Sequence, residues 1–272
     1  MPLLFFFFGL FWGSFLNNIA FRLVKNENFL FNRSKCPYCG KILKLKELIP
    51  ILSFILQKGK CLNCQKKISL RYPLTELITG FFVFYLSLIF LPWKSFPNFI
   101  EFIFYFILLS VLFILALYDL DTYLVETSFL IFLLIVGIIF NLYHYFLKIP
   151  IRDFSYLFNY FFFFNLPETI ISSLILTSIF LLIFLITKGR GLGFGDVETV
   201  FVMGLFFKPG DALLILIFSS FFGSLYGFYL FLKNKNLKTP IPFIPFFFIG
   251  ILATFILGEI ITKIYFNLFL PF

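Results

Sequence analysis

Long apolar runs alternate with short polar segments along this chain. A helix needs about 20 apolar residues to cross the ~30 Å hydrocarbon core of a bilayer, because it rises only about 1.5 Å per residue. Eight runs predict transmembrane helices, although the sixth is shorter than a full crossing. Their approximate ranges are 3–23, 74–93, 99–118, 125–147, 166–187, 197–207, 212–232 and 243–268. The pattern therefore predicts an all-α, polytopic membrane protein with about eight transmembrane helices.

The distribution of positive charge along the chain predicts the orientation of these spans. If the amino terminus lies outside and the chain crosses at every span, 17 of the 22 Lys and Arg residues fall on the inner side. Short cytoplasmic loops are rich in Lys and Arg. The composition is 61% hydrophobic and carries a net charge of +9. We attribute that charge to membrane topology and to contact with anionic lipids, and we predict no nucleic-acid partner.

One polar loop, at about 24–71, contains all four cysteines of the chain. They form two C-x2-C pairs separated by 21 residues, Cys36 and Cys39 followed by Cys61 and Cys64. This spacing is typical of a zinc site with four thiolate ligands. Disulfides or free thiols are the alternatives, but a reducing cytoplasm disfavours disulfides. Four thiolates leave no open coordination position, so the predicted zinc is structural.

Two acidic segments border predicted spans on the inner side of this topology. Asp196 follows Gly193 and Gly195 at the start of the sixth span, and Asp119 stands at the end of the third. Two carboxyl groups held close together cannot both ionise easily, so they share a proton. The ionised group can take a proton from water while the protonated group polarises a carbonyl, as in aspartic proteases. We expect the glycines to let an extended peptide lie against the backbone.

The same acids allow other interpretations. Asp196 can be a helix N-cap, and Asp119 or Asp121 can cap the fourth span or pair with Arg190. Acids within a membrane also serve transporters and proton paths. A transporter or channel with a zinc-stabilised cytoplasmic cap is therefore an alternative to a protease.

Seven motifs, in order along nearly the whole chain, carry a resemblance to one family. They are GSFLNNIAFRL (13–23), ELIPILSF (47–54), KGKC (58–61), SLRYPLTE (69–76), YDLDTYL (118–124), GFGD (193–196) and IPFIPF (241–246). With them the sequence resembles the bacterial type IV prepilin peptidases (leader peptidase and N-methyltransferase). These enzymes are GxGD intramembrane aspartic proteases.

The resemblance implies a catalytic pair and a reaction. Asp119 and Asp196 would be the catalytic acids, and Asp119 is preferred to Asp121 because the family's acid is the first of its D-x-D segment. Members act as aspartic endopeptidases on prepilins and pseudopilins of type IV pili and type II secretion. They remove a short basic leader after a glycine, on the cytoplasmic side, and then methylate the new amino terminus with S-adenosylmethionine. A peptidase that lacks methylation is a second possibility.

The resemblance also implies a location and a division of the chain. The protein would be a multi-pass protein of the bacterial inner membrane, with the active site and the zinc loop facing the cytoplasm. Residues 1–23 would form the first transmembrane helix, 24–73 a zinc-binding loop domain associated with methyl transfer, and 74–272 the transmembrane peptidase domain.

Three positions depart from the pattern of many relatives. Glu198 stands where Lys is frequent, Glu126-Thr127 where Pro-Asp is frequent, and Ile244 where Gly is common. The first two lie near the predicted active site, so we expect them to affect substrate choice. A basic leader also needs acidic contacts, and Glu47, Glu76 and Glu198 are the predicted candidates.

Overall fold

The structure is a computed structural model that describes residues 1–27, 33–154, 168–189, 191–234 and 240–269. These residues are mainly helical, and the described part contains no β-strand beyond two isolated bridges. The helices are α1 (Pro2–Val24), α2 (Leu52–Leu56), α3 (Arg71–Phe90), α4 (Phe96–Thr122), α5 (Thr127–Leu147), α6 (Glu168–Thr187), α7 (Phe194–Gly204), α8 (Pro209–Asn234) and α9 (Ile244–Phe269). A 3-10 turn covers Leu45–Glu47.

The helices match the predicted spans in order, which confirms the all-α polytopic fold. In the described part of the chain, seven helices are long and apolar enough to cross a membrane: α1, α3, α4, α5, α6, α8 and α9. The sixth predicted span corresponds to α7, whose 11 residues extend only about 16 Å. Pro209 begins α8, where its fixed φ favours the first turn of a helix.

The described chain divides into two compact units, Met1–Tyr118 and Asp119–Phe272. In the first unit, α1 packs against α3 through small residues. A Cβ added at Gly9 would lie 2.7 Å from the carbonyl oxygen of Thr79 and 2.8 Å from Cα of Gly80. Such close approach of two backbones is typical of membrane helices. Trp12 adds a hydrogen bond of 2.8 Å to Ser110 on α4.

In the second unit, α7 is packed against α5 and α6. A Cβ at Gly204 would overlap the backbone of Ser173, and the hydroxyl of Ser173 donates to the carbonyl of Phe201 at 2.6 Å. The side-chain amide of Asn141 on α5 donates to the carbonyl of Leu205 at 2.9 Å. These contacts hold the carboxyl-terminal half of a short helix inside the unit. The three-part division at 1–23, 24–73 and 74–272 stays a prediction.

Candidate active site and metal centre

Asp196 lies in the first turn of α7. Gly193 is the N-cap residue of this helix, with extended backbone at φ −75° and ψ 152°. The backbone N–H of Gly193 donates to Oδ2 of Asp196 at 3.2 Å. Asp196 is therefore not the N-cap residue: it is the third residue of the helix, and its side chain accepts from the N–H of the N-cap residue. Because the N-terminal end of a helix carries partial positive charge, this position favours a carboxylate.

Asp119 lies near the carboxyl end of α4 and is 5% exposed. Its Oδ2 accepts a hydrogen bond of 3.1 Å from the backbone N–H of Ile244, and the N–H of Phe243 donates to the same carboxylate. Both donors lie at the amino terminus of α9, so Asp119 caps α9 and not the fourth predicted span. The two acids of the D-x-D segment differ in exposure, because Asp121 is exposed and Asp119 is buried.

The structure brings Asp119 and Asp196 together, although they are 77 positions apart in sequence. Their carboxyl groups are close enough to interact electrostatically. Each acid also accepts backbone N–H bonds at the start of a helix, Asp196 at α7 and Asp119 at α9. Electrostatic repulsion between two carboxyl groups makes it unfavourable to ionise both of them. Arg190, which was considered as a partner, lies outside the described residues.

Gly195 makes a close contact with the segment that follows α4. A Cβ on Gly195 would lie 2.6 Å from Cγ2 and 2.9 Å from Cβ of Val125. The turn before this segment has Tyr123 in the left-handed region at φ 57°, with its N–H donating to the carbonyl of Asp119 at 2.8 Å. Gly195 thus allows the Asp119 segment and α7 to approach, a role that differs from the predicted peptide contact.

The four cysteines form one cluster in the first unit. Their sulfur atoms all lie within 4.8 Å of one another. The two pairs have the same backbone geometry: the N–H of Cys36 donates to the carbonyl of Lys41, and the N–H of Cys61 donates to that of Lys66. One isolated antiparallel bridge closes each pair. Four sulfurs arranged this way could hold a tetrahedral zinc ion, as the spacing predicts.

The environment of Cys39 favours the thiolate that zinc requires. The backbone N–H of Lys41 and the side-chain amide of Asn63 lower the pKa of the Cys39 thiol to about 6. The amide lies 3.6 Å from the sulfur. A thiolate, and not a thiol, is the zinc ligand, so the environment of Cys39 suits the metal.

Two of the acids predicted to contact a basic leader already have partners within the first unit. Glu47 accepts from the ammonium of Lys41 at 2.9 Å and from the N–H of Lys44 at 2.8 Å. Glu76 is 7% exposed and accepts from the N–H of Ile51 at 2.7 Å. These contacts give both acids a structural role in holding the loop. The contacts of Glu47, Glu76 and Glu198 with a leader stay predictions.

Two departures from the family pattern have simple structural explanations. Ile244 is fully buried and contributes its backbone N–H to Asp119, a bond that any residue except proline can make. Glu126 is the N-cap residue of α5 and accepts from the hydroxyl of Ser128 at 2.8 Å. The Phe243 and Ile244 donors were not predicted, although both residues lie in the IPFIPF motif (241–246).

The fold and the site thus define a helical, multi-pass membrane protein. It has an acid pair at two helix ends and a loop that contains four clustered cysteines. Comparison with known families adds two matches: the model described as Bacterial Peptidase A24 N-terminal domain at residues 7–90, and Type IV leader peptidase family at 106–228. The chain belongs to the type IV leader peptidase family, which confirms the resemblance carried by the motifs.

Similar curated proteins share most of their length with this chain. The prepilin leader peptidase/N-methyltransferase of Bacillus subtilis is 30% identical over 265 residues, covering 96% of each chain. The protein of that name from Aeromonas salmonicida is 30% identical over 240 residues, 88% of this chain and 76% of the relative. The one from Pseudomonas aeruginosa is 28% identical over 282 residues, 94% and 90%. No solved structure matches the chain.

Proposed function

We propose that this protein cleaves the leader of type IV prepilins or pseudopilins with Asp119 and Asp196, and then N-methylates the new amino terminus. The family and the names of its relatives support the two activities. The observation that carries the choice of residues is the electrostatic contact of the two carboxyl groups, each hydrogen-bonded at a helix amino terminus.

The proposed cleavage uses one water molecule and the shared proton of the pair. The ionised carboxyl takes a proton from the water molecule, while the oxygen of that water bonds to the carbonyl carbon of the peptide. The protonated carboxyl gives its proton to the carbonyl oxygen. When the C–N bond breaks, the nitrogen keeps the bonding electrons and accepts a proton. The products are a leader that ends in a carboxylate and a pilin with a free amino terminus.

The proposed location is the bacterial cytoplasmic membrane, with the acid pair and the cysteine loop facing the cytoplasm. The asymmetry of Lys and Arg along the chain supports this orientation. Basic residues on the same side would also contact anionic lipid headgroups.

S-adenosylmethionine would supply a methyl group bound to a positively charged sulfur. The new amino terminus of the pilin would accept this methyl group and lose a proton, and the sulfur would keep the electrons of the broken S–C bond. Zinc on Cys36, Cys39, Cys61 and Cys64 would be structural, because four thiolates fill its coordination sphere.

Cleavage of a purified prepilin by the purified protein tests the assignment of the acids. We expect Asp119→Asn and Asp196→Asn each to lower the rate at least about 100-fold, the contribution of a positioned acid or base. Asp121→Asn is the matched control, because this acid is exposed in the same segment, and we expect it to retain activity. Normal cleavage by either of the first two variants would contradict the dyad.

Mass spectrometry of the product separates the remaining alternatives. A product heavier by one methyl group indicates the bifunctional enzyme, and an unmethylated product indicates a peptidase alone. A transporter or channel would give no cleavage at all.

A further inference from the structure

The short helix α2 has two faces with different surroundings. One face, with Ser53 and Phe54, lines a cavity of about 420 Å³ between α1, α3 and the cysteine loop of the first unit. The opposite face carries three apolar side chains at helical spacing, which are 49%, 63% and 70% exposed: Leu52, Ile55 and Leu56. We refer to these three residues as the exposed face of α2. The described part of the chain leaves this apolar face uncovered.

A hydrogen bond to α3 indicates the depth of α2 in the membrane. The 20 residues of α3 extend about 30 Å, the thickness of the hydrocarbon core, so Arg71 at its start lies near one edge of the core. Glu76 lies about 8 Å further along the helix. Its carboxylate accepts from the backbone N–H of Ile51, the N-cap residue of α2, at 2.7 Å. The start of α2 is therefore held at the edge of the core and not in bulk water.

A tight turn before α2 fixes the direction of this helix. The N–H of Leu52 donates to the carbonyl of Pro50 at 2.5 Å, around Ile51 with φ 60° and ψ −51°. This is the rare, strained form of the γ-turn, and a β-branched residue is unusual there. Strained backbone persists only where surrounding contacts maintain it, and the bond from Ile51 to Glu76 is such a contact. The exposed face of α2 thus has a defined orientation relative to α3.

The segments on both sides of α2 are basic. Lys44 and Lys46 flank Leu45, which is 86% exposed, and Lys58 follows the end of α2. All three lysines are exposed. The acid in this region, Glu47, is already engaged in an ion pair. Exposed apolar side chains with lysines beside them are typical of a segment that lies in the interface of an anionic membrane.

We propose that α2 lies in the headgroup region of the bilayer, with its exposed face in contact with acyl chains and with Lys46 and Lys58 in contact with anionic headgroups. The depth given by the Glu76 bond favours lipid over a soluble partner, and the charge of the flanking lysines favours anionic lipid. This contact requires only that α1 and α3 cross the membrane, so it is independent of the proposed cleavage and methylation. The loop would then be attached to the bilayer at α2 as well as at its two ends.

Photocrosslinking of the full-length, zinc-loaded protein in nanodiscs tests the contact. The nanodiscs contain equal amounts of phosphatidylcholine and phosphatidylglycerol, and para-benzoylphenylalanine replaces Ile55. Phe81 on α3, which is 60% exposed, is the positive control, and Leu62 in a cysteine turn, which is 56% exposed, is the matched control outside α2. Mass spectrometry is expected to show phospholipid adducts at position 55 in a yield similar to that at 81, and a yield at least about fivefold lower at 62.

The identity of the crosslinked lipid tests the role of the lysines. We expect phosphatidylglycerol to exceed phosphatidylcholine about fivefold in the adducts at position 55, the ratio that one lysine near an anionic surface provides. Lys46→Gln combined with Lys58→Gln is expected to remove this preference. A preference that does not change in the double variant overturns the proposed headgroup contacts.

Three results would overturn the position of α2. These are no lipid adduct at position 55 while position 81 gives one, an adduct of position 55 with protein in place of lipid, and equal lipid yields at 55 and 62. Zinc content shows whether each variant is folded. If the variant at position 55 does not bind zinc, Leu56 on the same face, 70% exposed, takes its place as the test position.

Discussion

A Cβ added at Gly195 would lie 2.6 Å from Cγ2 of Val125, whereas one at Gly193 would meet only Oδ2 of Asp196 at 3.4 Å. Overpacking of a tight contact costs about 1–3 kcal/mol. We therefore expect Gly195→Ala to lower both the melting temperature and the cleavage rate, because it displaces the segment that follows Asp119. Gly193→Ala is the matched control, with backbone angles that alanine adopts readily. Equal effects of the two substitutions on cleavage would contradict this distinction.

The ion pair at Glu47 gives the first unit a pH dependence that can be measured. Backbone hydrogen bonding by Lys44 and the ammonium of Lys41 lower the pKa of Glu47. A lowered folded-state pKa means that the ionised group stabilises the fold above its unfolded pKa of about 4.3, and that this contribution is lost as pH falls through the folded value. We expect Glu47→Gln to lower the melting temperature at neutral pH. The difference from wild type should shrink below pH ~4, and a constant difference would contradict the assignment.

Residue identities in the two acidic segments were predictable, but their partners were not. The motifs indicated Asp119 and Asp196, because an ionisable residue beside an apolar span is energetically costly and usually has a function. They could not indicate that the N–H of Ile244, 125 positions away, donates to Asp119. A backbone N–H donor places no requirement on the side chain of its residue. The identity of residue 244, isoleucine where many relatives have glycine, therefore gave no sign that its N–H donates to Asp119.

At the scale of structural elements, the two cysteine turns differ at one equivalent position. Gly40 and Gln65, each four residues after the first cysteine of its pair, have φ of 70° and 57°. Left-handed backbone costs a non-glycine residue about 1–2 kcal/mol, partly offset by the ~0.5–1 kcal/mol entropic cost of glycine. We expect Gln65→Gly to stabilise the zinc loop slightly and Gly40→Gln to destabilise it more clearly. Thermal unfolding at fixed zinc concentration measures both, and a less stable Gln65→Gly protein would contradict the strain argument.

The helices themselves show where the hydrophobic pattern is informative. Long apolar runs located α1, α3–α6, α8 and α9, because only a helix satisfies its backbone inside a bilayer. Phenylalanine is apolar at helix ends and interiors alike, so the pattern could not locate the ends. The spans predicted at 197–207 and 212–232 are an example, because α7 ends at Gly204 and α8 begins at Pro209.

At the scale of the whole molecule, the cysteine cluster and the acid pair belong to different compact units. The four cysteines lie in Met1–Tyr118 together with the cavity, and the two acids lie in Asp119–Phe272. Sequence spacing predicted the cluster but not the cavity, because a cavity depends on side chains from α1, α3 and the loop that are far apart in the chain. A perturbation of zinc therefore acts first on the unit that holds the cavity.

Removal of zinc with a chelator should separate the two activities. Thiolate sites supply folding free energy to the segment that they cross-link, so the loop is expected to unfold when the metal leaves. We expect methylation to be lost while prepilin cleavage falls less, and zinc readdition to restore methylation.

Replacement of Cys39 and Cys64 by Ser should reproduce the effect without chelator. Asn63→Ala, which removes only the side-chain donor to Cys39, should weaken zinc binding without abolishing it. The measurement is the ratio of methylated to cleaved pilin by mass spectrometry, and a ratio that does not change with zinc would show that both activities depend equally on the loop.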